Sequence, residues 1–207
     1  MAIDVAVAYG RCDHASITMV GPNRAMKTVA ASGERTVKAD RLQYDLGQGP
    51  CLDAARSDNI VRVNDLAAEI RWPLWSPLAA DLGMGAILVM PLYSGVPLGT
   101  LNLYSENPRE FDGTDLEAAK VVAAHTSVIL DHTRVHRNMS QAVKSRTMIG
   151  QAQGILMARH RITADKAFAV LRRYSQTTNT RLAVIAEELI NTGHLPDLTI
   201  ATGDHPG

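Results

Sequence analysis

Ala86-Ile87-Leu88-Val89-Met90-Pro91-Leu92-Tyr93, then Ser94-Gly95-Val96-Pro97, then Leu98-Gly99-Thr100-Leu101-Asn102-Leu103-Tyr104 is the run that decides the fold. Two apolar stretches rich in Val, Leu and Tyr flank four residues of turn chemistry, which reads as a β-hairpin. A second hairpin is expected upstream. Ala15 to Val20 alternates polar and apolar, Gly21-Pro22-Asn23 turns the chain, and Met26 to Ala31 resumes. Strand following strand implies an antiparallel sheet in an α+β domain, whereas a parallel sheet would alternate strand with helix. Between the hairpins, Gly47-Gln48-Gly49-Pro50 breaks the chain ahead of a short helix over 51–56, and 59–63 reads as a short strand. The loop 71–77 leads into a helix that Gly83 ends.

Downstream the pattern changes to all-helical. Thr114 and Glu117 have the spacing of a capping box, and no Pro or Gly interrupts residues 115–149, so one helix is expected to run through His160. Val121, Val128, Val135, Ala142, Ile149 and Leu156 recur every seven residues, the period of a coiled-coil seam. The row three residues on (Ala124, Asp131, Asn138, Ser145, Ala152) is largely polar in its middle, so the seam is weak and residues 131–146 read as a helical linker. Thr163 is placed to cap a helix to about Thr178 with an apolar face of Ala167, Phe168, Leu171 and Tyr174. Thr180 is placed to cap a last helix that Gly193 ends. Gly150 and Gly154 in the first of these three helices each cost about 1 kcal/mol against Ala, which implies close approach by another helix or a ligand backbone.

The 207 residues carry 21 Lys+Arg and 21 Asp+Glu, a formal charge of zero that is unevenly spread. Residues 1–130 hold 11 basic against 15 acidic groups, residues 131–195 hold 10 against 4, and the remainder holds Asp197 and Asp204. A basic segment beside an acidic one suggests a polyanionic partner for the former. No apolar run reaches the ~20 residues of a membrane span and Met1 to Ala15 lacks the layout of a signal peptide, so a cytoplasmic protein is expected. Cys12 and Cys51 form no metal or disulfide pattern. His132 and His136 are spaced i,i+4, but nothing nearby completes a metal site, and no metal or cofactor is expected. Asp112 and Asp115 read as helix-start carboxylates. There is no Gly-rich phosphate loop, nucleophile elbow or Cys-x-x-Cys, so no catalytic residue is assigned.

Arg172, Arg173, Thr178, Asn179 and Arg181 cluster around the last turn, where guanidinium forks suit phosphates and amides and hydroxyls suit base edges. Residue chemistry leaves DNA and RNA both open, since a basic three-helix module also fits helix-turn-helix recognition. The run Ser145-Arg146-Thr147-Met148-Ile149-Gly150-Gln151-Ala152-Gln153-Gly154-Ile155-Leu156-Met157-Ala158-Arg159-His160, with 164–173, Thr178-Asn179 and 186–190, resembles the ANTAR domain over about 60 residues. That resemblance implies a dimeric RNA-binding transcription antiterminator that holds paired hairpins in nascent transcripts. Gln151, Gly154, Arg172, Arg173, Ser175, Thr178, Asn179 and Arg181 are the RNA-contacting candidates. Gln153 stands where Lys is common in the family, and Tyr174-Ser175 where a smaller pair is frequent.

Residues 12–17, 40–44, 47–54, 71–73, 91–92 and 99–103 resemble a GAF-type sensor domain. The resemblance implies a small-molecule or protein regulator, with Trp72, Trp75, Met90, Leu92 and Leu103 as candidate pocket residues. The family's first helix is shortened here, which predicts a missing member in the helical layer. The organisation expected is thus a GAF-like sensor over 1–130, a helical linker over 131–146, an ANTAR core over 147–194 (family-type span about 133–194) and a flexible tail over 195–207. A DNA-binding regulator remains an alternative, as does a GAF-type free methionine sulfoxide reductase using Cys51.

Overall fold

The computed structural model describes residues 2–9 and 11–195, and the tail from residue 196 on, expected to be flexible, lies outside them. The chain divides into two compact units at Thr133/Arg134. In chain order the first unit has α1 (Ala2–Tyr9), β1 (His14–Val20), β2 (Met26–Ala31), α2 (Glu34–Leu46), α3 (Pro50–Ser57), β3 (Val61–Val63), α4 (Ser76–Asp81), β4 (Ala86–Tyr93) and β5 (Pro97–Ser105). Helix α5 (Gly113–His160) crosses the division, and α6 (Ala164–Thr177) and α7 (Leu182–Thr192) follow.

Both expected hairpins form and join into one antiparallel sheet of order β2-β1-β5-β4-β3. Pro91 is tolerated inside β4 because β3 pairs only as far as Val89, leaving that edge of β4 unpaired at Pro91 while β5 pairs the other edge through Thr100. Strand alternation sorts the core onto two faces. Ile17, Leu88, Met90, Leu92, Leu101 and Leu103 meet Ile3 and Ala6 of α1, Ala119, Val122 and Ala123 of α5, and Phe111 just before α5. On the other face Val63, Ile87, Val89 and Tyr104 meet Ala39, Cys51, Ala54, Trp72 and Trp75. The helical layer is therefore not missing its first member: eight residues suffice for α1 to place Ile3 and Ala6 in the core.

Helix α2 has no apolar stripe in the sequence, because the positions it buries are Thr36, Ala39, Asp40 and Gln43. A polar network holds it to the sheet. Tyr104 Oη and Asn102 Nδ2 donate to Asp40 Oδ1 at 2.7 and 3.2 Å, while Thr28 Oγ1 donates to Asp40 Oδ2 at 2.9 Å. Tyr44 Oη bonds the hydroxyls of Thr18 and Thr28 at 2.7 and 2.8 Å. Burial pushes the Asp40 carboxyl above its ordinary range, and the hydroxyl and amide donors offset only part of that.

The start of α5 is capped two residues earlier than the Thr114/Glu117 spacing predicts. Asp112 Oδ1 accepts from Asp115 N at 2.9 Å and Asp115 Oδ2 accepts from Asp112 N at 3.0 Å, so the reciprocal pair is Asp112/Asp115. Asp115 is selected because it is buried and Arg109 reaches it, with Arg11 Nη1 at 3.7 Å. Burial alone would raise its pKa; the Arg109 guanidinium and the Asp112 N–H outweigh burial and hold it below the usual carboxylate range.

The two buried carboxylates predict opposite pH behaviour. Asp115 stabilises the fold above the unfolded-state pKa of about 3.9 and loses that contribution as pH falls through its lower folded value. Asp115→Asn is expected to cost roughly 1–3 kcal/mol at pH 7 and to remove part of the acid sensitivity seen by urea titration. Asp40 keeps its proton in the folded state after the unfolded chain has released it, so its contribution is full below about pH 4 and declines as pH rises towards its folded value. Asp40→Asn, isosteric with the protonated acid, is expected to flatten that decline, and an unchanged slope of stability against pH between 4 and 8 would contradict the assignment.

Candidate nucleic-acid interface and sensor core

The second unit is built on Ala152 and Leu156 of α5, Ala167 and Leu171 of α6, and Ile185, Ala186 and Leu189 of α7. Thr163 caps α6 as expected, accepting from Lys166 N at 3.5 Å. Burying Ala167 and Leu171 turns Lys166, Arg172 and Arg173 to solvent. Tyr174 packs against the core.

The turn between α6 and α7 uses its own hydroxyls. Ser175 Oγ donates to Thr180 O at 2.6 Å, Thr180 N donates to Ser175 O at 3.1 Å, and Thr178 Oγ1 donates to Tyr174 O at 2.8 Å. Thr180 does not cap α7: its hydroxyl donates to Thr178 O at 3.2 Å, and Arg181 occupies the N-cap without a side-chain bond. Ser175 and Thr178 thus shape the turn with the hydroxyl protons assigned to recognition. Asn179 sits exposed at its tip with φ +49°. Arg172, Arg173 and Arg181 are exposed, and among the described residues none of them forms an ion pair or a side-chain hydrogen bond.

The structure brings together Ser175, Thr178, Asn179 and Arg181 in one turn, with Arg172 and Arg173 in the helical turn before it. Gln151 and Gly154 stand exposed on α5, and no hydrogen bond joins either to that turn among the described residues. A Cβ added at Gly150 or Gly154 would meet nothing within 4 Å, so packing inside this unit requires neither glycine. Gln153, where a cation is common in the family, donates from Nε2 to Ala164 O at 3.2 Å and ties α5 to α6. Sequence reasoning missed the neighbours of Arg181: it shares a cleft of about 540 Å³ with Asn138, Gln141, Lys144, Ser145, Met148 and Glu187. The basic excess of residues 131–195 contained the signal, since Lys144 is part of it.

The five candidate pocket residues do not line one pocket. Trp72 and Trp75 are buried on the α2/α3 face of the sheet, edge to face at 6.2 Å, and donate from Nε1 to Asp53 Oδ2 and Ala39 O at 2.9 Å each. Met90, Leu92 and Leu103 are core on the α1/α5 face. The reason is parity. Leu103 lies opposite Leu88 and Tyr104 opposite Ile87, so neighbouring residues of β5 serve opposite layers. Sequence reasoning also missed Asp40, Thr18, Thr100 and Asn102; the polar parity of β5 against its apolar one carried that signal.

Cys51 is fully buried, its thiol pushed well up by burial with Asp40 adding to the effect, and Cys12 is buried on the opposite face with its thiol pushed up to about 12. Neither is a thiolate at neutral pH. Among the described residues no His, Cys, Asp and Glu group is placed to hold a metal ion, and no helix is long and apolar enough to cross a membrane.

Comparison with known proteins assigns both units. The GAF domain family matches residues 1–131 and the ANTAR domain family matches residues 137–190. No curated protein matches the chain. Among solved structures, a domain of a two-component sensor histidine kinase from Sinorhizobium meliloti is 19% identical, covering 68% of this chain and 92% of its own at a TM-score of 0.57. The GAF3 domain of a Synechocystis protein, in its photoproduct state, is 15% identical over 67% of this chain and 94% of its own, with a TM-score of 0.54. A type II free methionine-R-sulfoxide reductase from Thermoplasma acidophilum is 20% identical over 62% of this chain and 86% of its own, with a TM-score of 0.50. At these identities the likeness is one of fold. With an antiparallel sheet between helices followed by a basic three-helix module, the chain belongs to the GAF domain family and carries an ANTAR domain behind its sensor.

Proposed function

We propose that this protein is an RNA-binding transcription antitermination regulator whose ANTAR module, in a homodimer, holds paired hairpins of leader RNA under the control of a small molecule or protein partner at the GAF domain. One observation carries the reading: Arg172, Arg173 and Arg181 stand in solvent, with no ion pair or side-chain hydrogen bond among the described residues, around a turn closed by its own hydroxyls. Folding makes no use of those guanidiniums, and phosphates are what planar donor forks suit. Asn179 presents its amide between them at the tip. Because Tyr174 is tied into the core, no aromatic platform is offered to unstacked bases at this turn, which favours recognition of folded RNA by shape and backbone. The ANTAR match supports RNA over DNA.

Helix α5 supports the dimer. Val121, Val128 and Val135 are 59%, 68% and 45% exposed, an apolar row at heptad spacing that a second copy of the helix would cover. The protonated, buried thiols and the regulatory character of both domains support a role other than catalysis, and the proposed site of action is the cytoplasm.

Titration of a two-hairpin leader RNA with the full-length protein tests the reading. Affinity is expected to fall steeply with salt, and equal binding of duplex DNA at the same salt would overturn the assignment. Arg173→Ala and Arg181→Ala are each expected to weaken RNA binding about tenfold and to reduce the salt slope by about one, with helix content unchanged. Gly154→Ala separates fold from recognition. Free space around Gly154 means the variant is expected to gain about 1 kcal/mol in stability while losing RNA affinity, because the added methyl stands where the RNA backbone approaches.

A further inference from the structure

Val20 closes β1 directly opposite Met26 at the start of β2, and the chain between them turns through Asn23 and Arg24, both at positive φ. That turn, Leu52, Ala55 and Arg56 of α3, and Pro97 at the start of β5 surround a cleft of about 370 Å³, within the size range of small-molecule sites. Its walls are apolar, formed by Val20, Met26, Leu52, Ala55 and Pro97. Its charged lining consists of two guanidiniums and no carboxylate. Arg24 is exposed and makes no ion pair or side-chain hydrogen bond among the described residues, while Arg56 has a loose 3.9 Å contact with half-buried Asp53 on its own helix, whose carboxylate also accepts from Trp72.

We propose that this cleft is the regulatory ligand site of the GAF domain and takes a small carboxylate with an apolar body. The inference rests on the regulatory reading above and names its site and ligand class. Two donor forks in the lining suit the oxygens of one carboxylate, and the apolar residues beside them leave a second charge on the ligand without a partner. The site differs from the one expected from Trp72, Trp75, Met90, Leu92 and Leu103, all of which are spent as core.

Calorimetric titration of the full-length protein with octanoate tests the proposal, with octanol (same chain, no charge) and inorganic phosphate (charge, no chain) as comparators. Saturable one-to-one binding of octanoate, at least tenfold tighter than either comparator, is the expected result. Arg24→Ala and Arg56→Ala are each expected to weaken it at least fivefold, and Ala55→Phe, which fills the cleft without touching a charge, to abolish it. No binding of octanoate, equal binding of octanol or phosphate, or indifference to all three substitutions would overturn the assignment. RNA affinity measured with and without octanoate is a separate readout: if octanoate binds through Arg24 and Arg56 but RNA affinity stays constant, the cleft stands and regulation through it falls.

Discussion

A carboxyl group held out of water by three hydrogen-bond donors is the constraint on which the sensor domain turns. Asp40 accepts from Thr28 of β2, and from Asn102 and Tyr104 of β5, so one α2 side chain binds two strands at once. Desolvating a carboxyl group is costly unless its hydrogen bonds are replaced, and here each donor comes from a residue whose position the sheet already sets. The parity of β5 follows from the same requirement. Thr100, Asn102 and Tyr104 serve the polar layer while Leu101 and Leu103 serve the apolar one, and a one-residue slip would place leucines against Asp40 and amides against Phe111 and Val122. Register, helix position and burial are thus one condition, not three.

The same condition explains what could be read from the sequence. Hairpins announce themselves through local turn chemistry and alternating apolar residues, and both were legible at 15–31 and 86–104 without knowledge of the partner elements. Helix α2 was illegible because its inward face is Thr36, Ala39, Asp40 and Gln43, which hydropathy periodicity scores as surface; its apolar signal was exchanged for hydrogen bonds whose partners lie as many as 64 residues away. Capping failed for a related reason. Thr114/Glu117 and Asp112/Asp115 both satisfy the spacing rule, and the choice was made by Arg109 and Arg11, which spacing does not weigh. Likewise, Trp72 and Trp75 are near neighbours of the candidate pocket strands in composition, but the side of the sheet on which a residue falls depends on register.

In the ANTAR unit the residue types were legible and their division of labour was not. A sequence presents Arg172, Arg173, Ser175, Thr178, Asn179 and Arg181 as one polar cluster. The structure separates them into hydroxyls that close the turn and cations that close nothing. That separation sharpens the functional argument, because groups already satisfied inside the fold have less to gain from a ligand than groups left in solvent. Gly150 and Gly154 are likewise not explained by packing among the described residues: each weakens α5 relative to Ala, and a Cβ at either would meet nothing within 4 Å.

Helix α5 presents the same contrast along its length. From Ala119 to Ser127 the face formed by Ala119, Val122, Ala123, Thr126 and Ser127 is buried, while Val121 and Val128, between and beyond those positions, remain in water. Their heptad row continues through Val135 and then enters the buried core of the second unit at Leu156. One seven-residue row is therefore exposed from Val121 through Ala142, half-buried at Ile149 and interior only at Leu156. Fully burying a valine stabilises by roughly 1.5 kcal/mol or more, so covering Val121, Val128 and Val135 with a second helix is favourable, but Asp131 and Asn138 in the row three residues on limit the gain. In the proposed dimer such a seam would leave the register of the two helices weakly fixed, so the proposed sensor ligand would need to supply only a small free-energy difference to select one register over another.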